Sequence, residues 1–140
     1  MTREEFSKEL KDARISRGVT RIALWQRSGL TEMQIQRMEK GGNNYGLKNV
    51  IRFLQSLVCD LVLLCDGQSF VVDDSVAFVS FFRNRRTAKS ISRLKLSELS
   101  KISNRSLEKL EQGVHISRID AFLAIASALD VEIKICPIEK

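Results

Sequence analysis

The side chains able to do covalent or acid–base chemistry are few. The 140 residues include one histidine (His115), one tyrosine (Tyr45) and three cysteines (Cys59, Cys65 and Cys136). An enzyme of the nucleophilic kind needs a nucleophile beside a base, and one histidine with no glycine-rich loop supplies neither that pair nor a phosphate cradle. No enzymatic function, cofactor or metal is therefore expected. The cysteines form no CxxC pair, and Cys59 and Cys65 lie six residues apart on one strand face, too far to bond each other. All three are expected to be small apolar strand fillers, free thiols in a reducing cytoplasm. Cations are plentiful instead. Lysine and arginine number 23 against 17 acidic residues, a net charge of +6. With 44% hydrophobic and 29% charged residues the chain has the composition of a folded globular protein, and its basic excess points to a polyanion partner. No apolar run approaches the roughly 18 residues of a membrane span, and Met1 to Phe6 contain no stretch suited to a secretion signal. No membrane partner is expected.

The elements that must carry those cations repeat. Sliding the chain by 72 residues lays Arg14 to Leu24 over Arg86 to Leu96 without a gap. Further along, Ile35, Met38, Glu39 and Gly41 fall on Leu107, Leu110, Glu111 and Gly113, and Leu57, Leu61 and Leu63 on Leu129, Ile133 and Ile135. Identities are few, but apolar character recurs where burial is expected, through a helix series and the strand after it. Residues 1–72 and 73–140 each carry +3, so neither half is a basic tail.

Within each half the apolar period changes from helical to alternating. Phe6, Leu10, Ala13 and Arg14 define a helix that stops near Gly18. Thr20 caps a short helix ended by Gly29, and Thr31 caps another closed by Gly41 and Gly42. A fourth spans Leu47 to Leu57, with Val50, Ile51, Leu54 and Leu57 on one face. The second half predicts helices at Ser75–Lys89, from Arg93 behind Ser92, from Asn104 behind Ser103, and at Arg118–Leu129. Strands follow: Cys59, Leu61, Leu63 and Cys65 share a face, as do Val131, Ile133 and Ile135. Asp66-Gly67 signals a hairpin turn into Ser69-Phe70-Val71-Val72. The expected architecture is mainly α with small β additions. Two tandem four-helix units, 1–73 with a C-terminal β-hairpin and 74–140 with a C-terminal strand, form a pseudo-dimer. Their strands either join in a shared sheet or pair between chains as a homodimer through strand edges.

Two short capped helices separated by three residues make a helix-turn-helix, in which one helix braces across phosphates and the next enters the major groove. Residues 19–41 and 91–113 resemble the lambda-repressor/Cro-like helix-turn-helix family of phage repressors, bacterial regulators and antitoxins. The likeness rests on Val19-Thr20-Arg21-Ile22-Ala23-Leu24, Gly29-Leu30-Thr31, Ile35 and Met38-Glu39-Lys40-Gly41. It recurs in Ile91-Ser92-Arg93-Leu94-Lys95-Leu96, Ile102-Ser103, Leu107 and Leu110-Glu111-Gln112-Gly113. The chain departs from the family at Trp25, where a small residue is favoured, and at Lys101, which stands where the first half has the turn glycine Gly29. Trp25 must then spread the helices or turn outward, and Lys101 must go left-handed.

The resemblance implies double-stranded DNA as partner, with a prokaryotic or phage transcriptional repressor as the whole and a nucleoid-associated place in the cytoplasm. Its base-reading positions fall on Glu32, Met33, Gln34 and Arg37 in the first unit, and on Asn104, Arg105, Ser106 and Lys109 in the second. Arg105 suits guanine and Asn104 adenine, so the second set is the better reader. Phosphate candidates are Arg14, Arg21, Arg86, Arg93 and Arg118, with Lys48 behind them; His115 suits a surface or phosphate contact. Glu39 and Glu111 are expected to be structural, pairing with Arg14 and Arg86. The fold also holds proteins, as antitoxins hold toxins, and Trp25, Glu32 and Met33 make the first unit less DNA-like. A protein partner for one or both units is the alternative.

Overall fold

The computed structural model describes residues 1–74, 78–113 and 117–138, which form eight helices and three strands. The helices are α1 (Arg3–Ser16), α2 (Arg21–Ser28), α3 (Glu32–Lys40), α4 (Leu47–Ser56), α5 (Phe78–Ala88), α6 (Arg93–Ser100), α7 (Asn104–Glu111) and α8 (Ile119–Ala128). The strands are β1 (Cys59–Cys65) and β2 (Gln68–Val71), between α4 and α5, and β3 (Glu132–Pro137), after α8. The fold is mainly helical with one small antiparallel sheet, ordered β2-β1-β3. The expected start of the fifth helix at Ser75, and His115, lie outside the described residues.

Adding 72 to the bounds of α2 and α4 gives those of α6 and α8. The left-handed backbone positions recur at the same offset: Gly18 with Ser90, Gly29 with Lys101, Gly41 with Gly113, and Val58 with Asp130. The backbone path therefore repeats even where glycine does not, and Lys101 takes φ +62° at the end of α6. Asp66 and Gly67 add a left-handed pair of their own, the requirement of a two-residue turn matched to strand twist.

The two halves meet about an internal two-fold axis. In the sheet Val62 faces Lys134, its own counterpart at the 72-residue offset, and on either side Leu61 faces Ile135 and Leu63 faces Ile133. Each of these flanking pairs is the other read in the opposite direction, the signature of an isologous contact. The same happens between the starts of α4 and α8. Leu47 N–H donates to the Ser117 carbonyl at 2.9 Å, and Ile119 N–H donates to the Tyr45 carbonyl at 2.8 Å. These are again counterparts exchanged. The strands of the two halves thus join in one shared sheet within the chain. β1 is its central strand, which accounts for the burial of Val62 on its second face.

One continuous core crosses the axis. Phe6, Leu10, Leu24, Ile35 and Phe53 contribute from the first half, and Phe78, Phe82, Leu107, Ile119 and Phe122 from the second. Phe78 stands edge-on to both Phe82 and Phe122 with centroids 5.3 Å apart, the favourable quadrupole arrangement. Tyr45 is buried beside the axis, its hydroxyl 2.8 Å from Ser7 Oγ. Burial outweighs the Ser7 hydrogen bond and pushes the phenol up to about 12. An acid whose folded pKa lies above its unfolded value stabilises the fold below the unfolded pKa, here about 10, and that contribution is lost as pH rises from there towards 12. Two pH units correspond to about 3 kcal/mol. Wild type should lose stability over this range relative to Tyr45→Phe, measured by urea unfolding. The phenolate absorbance of the chain's single tyrosine should titrate near pH 12 in the folded protein and near pH 10 in urea.

Candidate nucleic-acid interface

Local chemistry sets each pair of short helices. Thr20 Oγ1 accepts Ala23 N–H at 3.1 Å to start α2, and Gly29, at φ +77°, ends it. Thr31 and Gln34 then form a capping box, Gln34 N–H to Thr31 Oγ1 (3.1 Å) and Thr31 N–H to Gln34 Oε1 (2.9 Å), which starts α3. In the second half Ser92 and Ser103 cap α6 and α7 in the same way. Ser97 Oγ, small and inward, donates to the Ile102 carbonyl at 2.5 Å and ties α6 to the turn. Its counterpart Trp25 cannot do this and is turned outward, 46% exposed. Leu30 and Leu24 fill the space between the helices of the first half.

An ion pair, buried in the first half and partly buried in the second, locks each assembly from behind. Arg14, near the end of α1, donates from Nε to Glu39 Oε2 (2.5 Å) and from Nη2 to Glu39 Oε1 (3.0 Å). Its Nη1 reaches the Val19 carbonyl at 3.0 Å, so one guanidinium joins α1, the turn before α2, and α3. Arg86 repeats this on Glu111 (2.8 and 3.3 Å) and the Ile91 carbonyl (2.9 Å). Arg21 and Arg93 approach the same carboxylates from the first turns of α2 and α6, at 3.2 and 3.8 Å. The acids stand near the carbonyl-rich ends of α3 and α7, where negative charge is disfavoured, so the arginines are what make those positions tenable. Glu39 and Glu111 are structural, as the spacing suggested.

These bonds redistribute the candidate contacts. Arg14 and Arg86 leave the phosphate set, because their guanidinium groups are committed to a carboxylate and a carbonyl inside the protein. Arg21 and Arg93 stay partly exposed. Lys48 is exposed in the first turn of α4, and Arg118, exposed at the cap of α8, spends Nη1 on the Asn44 carbonyl at 3.0 Å. On α3, Glu32, Met33, Gln34 and Arg37 are all exposed, though Gln34 has given its carbonyl oxygen to the cap. On α7, Arg105 and Lys109 are exposed while Asn104 and Ser106 are half-buried. Ser106 Oγ is 2.8 Å from Ser103 Oγ, whereas Asn104 Oδ1 is buried without a hydrogen-bond partner among the described residues.

The two exposed helix starts differ in sign. Glu32 occupies the first turn of α3, whereas the first turn of α7 has no acid, so its partial positive end is reinforced by Arg105. Lys101, exposed in the turn before α7, adds a further cation that sequence reading treated only as a turn residue. Asn44 was also missed: its Oδ1 accepts Asp120 N–H at 3.0 Å and caps α8 from the other half. A partner 76 residues away leaves no local signal in the sequence. Arg3 joins the same place through Asp120 at 3.3 Å.

No family model, curated protein or solved structure matches this chain. Among the described residues no helix is long and apolar enough to cross a membrane.

Removing one partner of a buried, hydrogen-bonded ion pair leaves an uncompensated charge and costs about 3–5 kcal/mol. Arg14→Ala and Glu39→Ala should each destabilise by that order in denaturant titration. Their double variant should lose less than the sum. Arg86→Ala should cost less than Arg14→Ala, because Glu111 keeps 14% side-chain exposure where Glu39 keeps 1%.

Proposed function

We propose that this chain binds double-stranded DNA sequence-specifically as a lambda-repressor/Cro-like protein with two tandem helix-turn-helix units, 1–73 and 74–140, fused as a pseudo-dimer. Occupying a promoter, it represses transcription. The observation that carries this reading is the exposed start of α7, where Arg105 and Lys109 stand beside a helix N-terminus free of acid. A helix so presented fits the major groove of DNA, which admits one α-helix and displays a distinct donor and acceptor pattern for each base pair. Arg105 forks onto guanine. Asn104, whose Oδ1 is buried and unpaired among the described residues, reads adenine by turning its amide outward when the helix is seated. Arg93, Arg21, Lys48 and Arg118 hold phosphates, with Ser106 and Lys109 completing the surface of α7. The reading needs no cofactor and no catalytic group.

In this reading α3 and α7 are counterparts in a pseudo-dimer, as the dyad of a palindromic site relates half-sites about 34–36 Å apart. The side chains are not symmetric, however. Glu32 and Met33 replace Asn104 and Arg105, so the second unit reads bases and the first supports it through Gln34, Arg37 and phosphate contacts. A second reading is favoured by Trp25 (46% exposed) and Met33 (59%) on α2 and α3, whose counterparts in the second unit are the polar Ser97 and Arg105. In that reading the first unit holds a protein, antitoxin-like, while the second keeps to DNA.

Binding to a randomised duplex pool at two salt concentrations, followed by sequencing of the retained DNA, tests the proposal. The expected result is an asymmetric motif and a steep fall of affinity with salt. Retention without a motif, or no retention, overturns it in favour of the protein partner. On the recovered site Arg105→Ala should cost about 1–3 kcal/mol and relax one base position. Arg93→Ala should weaken binding to all sequences alike, seen as equal losses on cognate and random duplex.

A further inference from the structure

Two residue pairs mark where the internal axis crosses the backbone. One is Val62 with Lys134 in the sheet. The other is an isolated antiparallel bridge between Gly46 and Arg118, again counterparts at the 72-residue offset. The flanking bonds, Leu47 N–H to the Ser117 carbonyl and Ile119 N–H to that of Tyr45, are exchanged about it. The two crossings lie towards opposite ends of α1. Arg3 pairs with Asp120 beside the bridge, and Arg17 donates to the carbonyls of Val58 and Ile138 just outside the sheet. Gly46 follows α3 and Arg118 follows α7, so the bridge is the crossing to which the two groove helices lead.

At that crossing the halves are unlike. Gly46 has no side chain, and a Cβ placed on it would meet nothing within 4 Å, so the space beside it is open. Arg118 is exposed, and its Nη1 reaches over to the Asn44 carbonyl of the first half at 3.0 Å. Neither residue caps its helix with a side chain. The fold therefore sets one arginine at the axis and anchors it across the axis, without needing its side chain to start α8. Charge around the crossing is mixed. Arg3, Glu4 and Asp120 lie close enough to Tyr45 to act on its phenol, and Lys48 stands exposed in the first turn of α4. Asp120 is met by Arg3 at 3.3 Å. What selects a ligand group here is the place of Arg118 rather than bulk charge. A duplex read by helices in successive major grooves, with half-sites about 34–36 Å apart, turns its minor groove to the protein midway between them. A·T-rich minor grooves are narrow and their negative potential draws in arginine, whereas guanine puts an amino group on the floor. The geometry points to Arg118 as a specificity residue that enters the minor groove at the centre of the bound site and selects A·T pairs there. That role rests on the DNA binding proposed above and goes beyond a phosphate contact.

The test uses the full chain and duplexes that keep the flanks of the site recovered from the randomised pool and vary its centre. Centres of A·T, G·C and inosine·C pairs separate the two grooves, because inosine lacks the minor-groove amino group of guanine yet keeps the major-groove pattern of G·C. Wild type should bind the A·T and inosine·C centres alike and the G·C centre about tenfold more weakly. Arg118→Gly copies the first half at the same place. It should keep its melting temperature within a few degrees and bind all three centres alike. Arg105→Ala should weaken all three and keep their ratio. Equal binding of the three centres by wild type overturns the assignment. So does equally weak binding of the G·C and inosine·C centres, or a preference that survives in Arg118→Gly. Those failures leave the DNA-binding reading standing, whereas a pool that yields no motif removes both.

Discussion

The reciprocal pairing of the two halves constrains everything else in the molecule. One register, centred on Val62 and Lys134, and one pair of exchanged hydrogen bonds between the starts of α4 and α8 define the same internal axis. Neither half has a complete surface without it. α8 takes part of its N-terminal capping from Asn44, and the core phenylalanines of the second half continue into the leucines and phenylalanines of the first. A sheet of this size has little independent stability, since two or three short strands need an apolar face packed on something else. Here that face is the junction itself, with Leu61, Leu63 and Ile133 buried between the two helical sets.

Side chains follow the 72-residue repeat where backbone and core need them and depart from it elsewhere. Four left-handed positions recur in both halves, as Gly18, Gly29, Gly41 and Val58 and as Ser90, Lys101, Gly113 and Asp130. The clamp of Arg14 and Glu39 persists as Arg86 and Glu111 because a buried carboxylate tolerates no half-measure. Other positions carry no such cost, and Glu32 and Met33 in one half stand where the other has Asn104 and Arg105. In the proposed reading, that freedom lets one backbone geometry present two different faces along one axis.

The clamp also shows why basic residues cannot be assigned from charge alone. Arg14 and Arg21 lie seven residues apart and both touch Glu39, yet one is sealed inside and the other remains partly in water. In sequence they read alike as phosphate candidates. Depth behind α3 separates them, and depth is set by where α1 crosses, which no local pattern encodes.

By itself the sequence determined a mainly helical chain with small β additions, the hydroxyl caps at Thr20, Thr31, Ser92 and Ser103, and the hairpin turn at Asp66 and Gly67. All of these depend on neighbours within a few residues or on an apolar period, which a linear pattern records directly. Of the residues it named on α3 and α7, Glu32, Met33, Gln34, Arg37, Arg105 and Lys109 are exposed, since a capped helix with one apolar stripe leaves its other face to solvent, whereas Asn104 and Ser106 are half-buried. The tertiary structure decided the rest: that the strands pair within the chain, that Asn44 caps a helix 76 residues away, and that Trp25 turns outward while Ser97 turns in. It decided as well that β1 is central while β3, among the described residues, pairs with β1 alone. Those outcomes follow from the register between distant segments, and register is a property of two surfaces meeting rather than of either one alone.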